Sequence, residues 1–428
     1  MILTKNRNIM SDPGTVLRIT GRKDMKRIAV VANDVAMPGE KGLGRLYYFS
    51  ELLAANGFDV ELITADFQHW EKQYRSQEKM EESRKNAPFR ITFLHELAYT
   101  KNVEPKRILS YRLLAKNAAK HLSAHEYDLI YALVPDNHLA ATAGQYAKSR
   151  CIPFVADVED LWPEAMRMVL DIPVVSDVLF SYFTVNAKKA YSLADAVVGS
   201  SDEYRDEPLK YGINVPKKKT VYVGNDLQKF DSSVKEFSGS VVKPDGEFWV
   251  TYAGTIGTSY DLFTFVEAAG KIAAQGRNEI KYLILGDGPQ RPELEAAAKK
   301  TGADIRFPGF LPFGEMAVYL VQSDVTLNSL VEKAPQSIVS KIGDYLAAGK
   351  PMINTGLNKE FCAKVEADGF GINVHPGDAD VLAKAILSLA DDPSSCRRMG
   401  EIARTIAQTQ FNRAQTYLGI IDLIRELL

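Results

Sequence analysis

Short apolar runs alternate with helix-period segments along most of the chain, and that alternation predicts a fold class. Arg27 to Val31 (RIAVV) reads as a buried strand closed by the polar pair Asn33-Asp34. Leu46, Phe49, Leu52 and Leu53 then recur on one face of a helix that Asn56-Gly57 stops. Asp59 to Thr64 (DVELIT) predicts a second strand. Runs beginning at Ile91, Asp128, Pro153, Ala196 and Thr220 (ITFLHEL, DLIYALV, PFVADV, AVVGSS, TVYVG) predict five more. Strands separated by helices imply a parallel sheet with crossover helices on both faces.

The pattern dissolves between Gly224 and Glu247 into DLQKFDSSVKEFSGSVVKPDG, a polar stretch that reads as a linker over 226–247. It restarts in FWVTYAG, KYLILGDG, DIRFPGF, DVTLNS, PMINTG and GINVHPG. Two successive βα domains are predicted, 25–225 and 248–410, with ligands expected at the carboxyl ends of the strands and in the cleft between. Segment 411–428 carries Tyr417, Ile420, Ile421, Leu423 and Ile424 at helical spacing, an amphipathic helix expected to pack back on the first domain. Residues 1–24 are polar and mixed in charge and read as a disordered leader outside the fold.

Composition narrows the function classes. The 428 residues suffice for two cores. Fifty-two basic side chains against 54 acidic ones leave a formal charge of -2, so the basic field of a nucleic-acid binder is absent and no nucleic acid is expected as partner. Cys151, Cys362 and Cys396 lack metal or redox-pair spacing. No apolar run approaches the roughly 20 residues of a membrane-spanning helix. Together these predict a cytoplasmic protein with reduced thiols.

Candidate chemistry sits just after strands. Gly42 and Gly44, in PGEKGLGR between the first strand and helix, would let backbone amides approach an anion, although a flexible turn would use the same glycines. Tyr252-Ala253-Gly254-Thr255-Ile256-Gly257 could present amides and a hydroxyl to a diphosphate. Leu285-Gly286-Asp287-Gly288-Pro289 reads first as a turn with a helix start. In APQSIVSKIGDYLAAGKP, Lys341 and Asp344 share one helix face, suited to a diphosphate and a ribose diol; exposed, the same pair would contribute only about 0–1 kcal/mol as an ion pair. Asp157-Val158-Glu159-Asp160-Leu161-Trp162-Pro163 puts three carboxylates at a strand end, where they are costly unless solvated, paired or used; helix capping before Pro163 is the plain alternative.

Taken in order, these motifs resemble the retaining GT-B glycosyltransferases of bacterial capsule, O-antigen and exopolysaccharide assembly, a family 4-like group. The resemblance covers about 26–410 and implies two Rossmann-like domains, with a nucleotide-sugar donor on the second and a glycan or lipid-linked acceptor on the first. It implies donor contacts from Gly254, Thr255, Gly257, Gly286, Gly288, Phe310, Leu311, Gln336, Lys341 and Asp344, with Gly42 and Gly44 near the phosphates or the acceptor. Lys341 would stabilise the departing diphosphate, and Asp160, with His138 as second choice, would orient or deprotonate the acceptor hydroxyl; the resemblance implies no metal and no other cofactor.

The chain departs from that family where a glutamate would precede Asp344 by eight residues (here Gln336), and where Arg and Lys would follow the diphosphate loop (here Thr255 and Ser259-Tyr260-Asp261). Lys341 is then the main cation, with Arg291 or Lys333 as helpers. Lys101 to His121 holds six Lys and Arg against Glu104, with Ile108, Leu109, Leu113 and Leu114, a pattern for a bilayer surface or for an ordinary surface helix. A GT-B epimerase, a non-catalytic nucleotide-sugar binding subunit and, through Asp66, a dinucleotide oxidoreductase remain as alternatives.

Overall fold

The computed structural model describes residues 25–42, 44–101, 104–164, 175–334 and 338–428. The expected leader at 1–24 and the donor candidate Gln336 lie outside the described residues.

Two parallel sheets are formed. The first holds β1 (Arg27–Val31), β2 (Asp59–Ala65), β5 (Arg90–Leu94), β6 (Leu129–Val134), β7 (Phe154–Val158), β8 (Ala196–Gly199) and β9 (Lys217–Thr220), in the order β5-β2-β1-β6-β7-β8-β9. The second holds β10 (Phe248–Ala253), β11 (Ile280–Leu285), β12 (Ile305–Gly309), β13 (Val325–Asn328), β14 (Met352–Asn354) and β15 (Gly371–Asn373), in the order β12-β11-β10-β13-β14-β15. In each sheet the strand order reverses beside the first strand, next to β6 and β13, and there the crossovers open a crevice. The near-continuous apolar runs of β1, β6 and β10 follow from burial on both faces.

Four apolar layers cover the sheets. Helices Pro105–Ser123, Asn137–Arg150 and Val175–Leu193 lie on one face of the first sheet; Arg45–Ala55 and the terminal Leu418–Leu427 lie on the other. Tyr417, Ile420, Ile421 and Ile424 are fully buried against Val30, Phe49 and Tyr131. At about 1.5–3 kcal/mol per buried side chain, those four residues bind the end of the chain to the first domain.

Three local features differ from the sequence reading. The span 226–247 contains a helix, Leu227–Glu236, whose Leu227 and Phe230 enter the core of the second domain; only two of its residues are buried, so its polar composition concealed it. The strand expected from Thr220 lies earlier, in Lys217–Thr220, and lysines suit a sheet edge that must resist further pairing. A short antiparallel hairpin, β3 (Phe67–Gln68) with β4 (Gln73–Tyr74), is too brief for periodicity to reveal.

Candidate active site in the cleft

The carboxyl ends of β10 and β11 are locked together by their loops. Gly254 N–H donates to Leu285 O at 2.9 Å, and Ile256 N–H to Asp287 O at 2.9 Å. A Cβ on Gly286, at φ +132°, would stand 1.9 Å from Gly254 O, and one on Gly288 would stand 2.3 Å from Ile256 O. Gly286 and Gly288 are therefore needed for backbone-to-backbone approach. The Gly254 amide, expected to face a diphosphate, is already spent within the sheet.

The helix Lys341–Ala347 is docked on this strand end. Tyr345 Oη accepts the Ala253 N–H at 2.8 Å and donates to Ala253 O at 3.0 Å. That anchor places Lys341 beside Gly254. The Lys341 ammonium donates to Tyr252 Oη at 3.0 Å, and lies 4.3 Å from the Tyr252 ring centroid and 3.8 Å from that of Tyr260. Among the described residues no carboxylate lies within ion-pair distance of it, and desolvation holds its pKa well below the usual lysine range. Asp344, one turn on, accepts from Asn225 Nδ2; burial raises its carboxyl to about 6, against the opposing pull of Arg413 and Asn225.

A cavity of about 550 Å³ lies where the domains meet, lined by Gly42 and Gly44 from the first, Ser340 and Asp344 from the second, Asn225 on the crossover and Arg413 from the terminal segment. The glycine loop is held by Arg75, which is buried, bonds Glu40 on both carboxylate oxygens and donates to Ala65 O and Val35 O. Gly42 packs against Trp70: a Cβ there would meet the indole Cδ1 at 2.5 Å. Across the gap, Lys41 Nζ stands 6.0 Å from the ring centroid of Phe310, which is 71% exposed. The resemblance had put Phe310 and the neighbouring Leu311 beside the base.

A second cavity of about 450 Å³ adjoins it, lined by Asp34, His69, Trp70, Arg107, Asp160 and Trp162 of the first domain and by Tyr260 of the second. Asp160 reaches this cavity but is engaged: Oδ1 accepts from Leu161 N–H at 2.9 Å and Oδ2 from Trp162 Nε1 at 3.0 Å, and burial raises its pKa. His138 is not among the lining residues of either cavity; its Nδ1 is bonded to Tyr182 Oη at 2.6 Å, and its own carbonyl accepts from Thr142. Arg291 pairs with Glu295 at 2.7 Å, and Asp66 with His95 at 2.9 Å on the sheet-edge side; neither is placed as a free ligand.

Sequence reasoning missed several lining residues. His69 belongs to the unrecognised hairpin; burial, then Arg107 and Lys72, push its pKa down to about 3. Its Nδ1 faces Tyr99 Oη at 2.6 Å and Lys72 Nζ at 3.3 Å, both donors to it, so the neutral ring carries its proton on Nε2. Asp34, whose pKa burial raises, lies in the loop just after β1, where a ligand-facing polar residue is expected, and that signal was available. Beneath both cavities, buried Arg45 bridges Asp157 and Glu159 (2.8 Å to the latter) and donates to Tyr417 Oη at 2.8 Å, while Tyr131 Oη donates to Asp157 at 2.7 Å. Its carboxylate partners hold the Arg45 guanidinium fully charged.

Two Rossmann-like domains with a cleft at the carboxyl ends of both sheets constitute a GT-B architecture. Residues 233–406 match the family described as Glycosyl transferases group 1. A 2-deoxystreptamine glucosyltransferase of Streptomyces kanamyceticus is 30% identical over 131 residues, covering 30% of this chain and 33% of that protein. An alpha-D-kanosaminyltransferase of the same organism is 26% identical over 185 residues, covering 42% and 45%. The chain thus spans a third to under half the length of these curated relatives. The crystal structure of Anabaena HepE in complex with UDP superposes with a TM-score of 0.67 at 15% identity, covering 94% of this chain and 100% of that one. At that identity the likeness speaks for the fold.

Among the described residues no group of three or more His, Cys, Asp or Glu side chains is placed to hold a metal ion, and no helix is long and apolar enough to cross a membrane.

Proposed function

We propose that this protein is a glycosyltransferase that moves a sugar, a hexosyl or N-acetylhexosaminyl group, from a UDP-linked donor to a glycan or lipid-linked acceptor with retention of configuration, in surface polysaccharide biosynthesis. One observation carries the reading: the Lys341 ammonium, without a carboxylate partner among the described residues, is held at the end of β10, one turn before Asp344 of the 550 Å³ cavity and against Tyr260 of the 450 Å³ cavity, although it lines neither cavity itself. A cation kept unpaired in a partly desolvated site is suited to a developing diphosphate charge. The match over 233–406 lies on the domain that carries it.

In this reading Lys341, Thr255 and Gly257 take the diphosphate, Asp344 the ribose, and Phe310 with Leu311 the base. The 450 Å³ cavity takes the acceptor, where Trp70 and Trp162 offer apolar ring faces and Asp34 with the His69 Nε2–H offers an acceptor and a donor for hydroxyls. Asp160, fixed by Leu161 N–H and Trp162 Nε1, orients the attacking hydroxyl through a lone pair those two bonds leave open. The hydroxyl oxygen attacks the anomeric carbon on the face the diphosphate leaves, the anomeric carbon–phosphate oxygen bond breaks, the hydroxyl proton passes to the departing phosphate oxygen, and Lys341 offsets the charge of the leaving group. No metal is required for that step.

The test is release of UDP from a panel of UDP-sugars, with and without glycan acceptors. Transfer is expected in the wild type, and Lys341→Ala should lower kcat about 10²–10³-fold. Epimerised donor without acceptor, or tight binding without turnover in the presence of acceptors, would overturn the reading.

A further inference from the structure

Tyr260 lines the 450 Å³ cavity and packs against Lys341. The ammonium of Lys341 lies 3.8 Å from its ring centroid, closer than to the ring of Tyr252 at 4.3 Å. Tyr252 cannot rotate freely, because its hydroxyl donates to Thr255 O at 2.7 Å and accepts from Lys341 with its lone pair. The two rings meet edge-on at 5.8 Å and 62°, two walls of one enclosure. A third side is Gly254, where even a Cβ would stand 2.7 Å from the ammonium.

Tyr260 is itself held on both sides. Its N–H donates to Gly257 O at 3.0 Å, and Ser259 O accepts from Val331 N–H at 3.2 Å. Asp261 accepts from Thr264 Oγ1 at 2.6 Å and from Gly377 N–H at 2.7 Å, which pins the start of the Leu262–Ala273 helix. The ring is thus a fixed surface. It is also the one second-domain side chain among the residues lining the 450 Å³ cavity.

We propose that Tyr260 is a positioning residue for Lys341, its ring face holding the ammonium at the phosphate end of the cleft in place of the carboxylate that a buried lysine would ordinarily need. The proposal rests on the glycosyltransferase reading of this cleft. Aromatic faces attract a cation without neutralising it, so the full charge stays available to an incoming diphosphate. A carboxylate in the same place would have to be displaced by the donor. The titratable groups around the ammonium are Tyr252 on β10, Tyr260 on the following loop and Tyr345 further along the helix of Lys341; Asp344 on that helix is engaged with Asn225.

The test is UDP binding as a function of pH in the wild type, Tyr260→Leu and Tyr260→Phe. Wild-type affinity should fall as pH rises and Lys341 loses its proton, below the usual lysine range. Tyr260→Leu should weaken UDP about 5- to 30-fold at neutral pH. It should also move that fall to lower pH, because the ring face that favours the charged form of Lys341 is gone. Tyr260→Phe, which keeps the ring, should recover most of the affinity and the original pH break. An affinity loss with the pH break unmoved, or equal loss in both variants, would show that Tyr260 only supports the loop and would overturn the proposal. Unchanged UDP affinity in Tyr260→Leu would overturn it as well, while leaving the glycosyltransferase reading intact. A wild type that binds no nucleoside diphosphate would remove that reading and this proposal together.

Discussion

Asn225, on the crossover between the two sheets, donates a hydrogen bond to Asp344, on the helix that carries Lys341. The same Asn225 is woven into the returning chain: its N–H donates to Phe411 O at 2.7 Å and its carbonyl accepts from Arg413 N–H at 3.0 Å. The residue assigned to the ribose is thereby tied to both strands of chain that join the domains. Because burial raises the Asp344 carboxyl to about 6, UDP affinity should weaken as pH falls through that value. Asp344→Asn should raise the donor KM roughly 10-fold, on the order of one lost charge-assisted hydrogen bond, and remove this acidic limb. Steady-state kinetics from pH 5 to 8 check it.

Gly286 separates loop architecture from ligand contact. Its positive φ and the 1.9 Å approach to Gly254 O mean that Gly286→Ala forces the β10 and β11 loops apart. A destabilisation of about 2–4 kcal/mol is expected. Thermal unfolding followed by circular dichroism should show a fall of several degrees, with UDP affinity lost in parallel because Lys341 sits against Gly254.

Glu96 is buried in the first domain, and desolvation, with Asp136, Asp34 and Asp66 adding to it, pushes its carboxyl up to about 8. The folded chain then keeps a proton that the unfolded chain has released above 4.5. Stability therefore falls as pH rises from about 4.5 to about 8 and stays reduced above it. Glu96→Gln, which preserves the size and can still accept from Ser110 Oγ, should remove most of that decline, on the order of a few kcal/mol between pH 5 and 9. Urea unfolding at the two pH values measures it.

For membrane contact, the Pro105–Ser123 helix keeps Lys106, Arg112, Lys116 and Lys120 exposed, and Leu109 is 51% exposed. Leu114 is buried in the first-domain core, and Ile108 packs against the cluster of Tyr111, Phe180 and Phe183, so these two cannot enter a bilayer as the segment's pattern had suggested. If the face binds membranes, it does so through the lysines and Leu109. Co-sedimentation with vesicles containing 30 mol% phosphatidylglycerol should fall at least 5-fold for Lys116→Glu with Lys120→Glu, about 1 kcal/mol per basic residue removed. Equal sedimentation of wild type and variant, or none by either, counts against a lipid-surface role.

Most strands were legible because a strand buried on both faces must be apolar throughout, as RIAVV and LIYALV are. The strand-end glycines and the Lys341-Asp344 spacing were legible for a similarly local reason: turns and helix faces follow from residues close in sequence. Lys217–Thr220 was displaced because an edge strand is chosen by its neighbour's open hydrogen bonds, and its lysines carry no apolar signal. The Leu227–Glu236 helix was hidden because so little of it is buried.

By itself the sequence determined the two parallel βα sheets and the glycine loops that end their strands, since each depends on periodicity and turn chemistry within short windows. Only the tertiary structure decided which groups in those loops are still available. It spent the Gly254 amide and both Asp160 oxygens on neighbours, turned His138 toward Tyr182, and brought Tyr260, His69 and Arg413 to the cleft. The reason is that hydrogen-bond partners, burial and approach across a cleft are set by residues far apart in the chain, such as Arg45 and Tyr417, and no local pattern carries them.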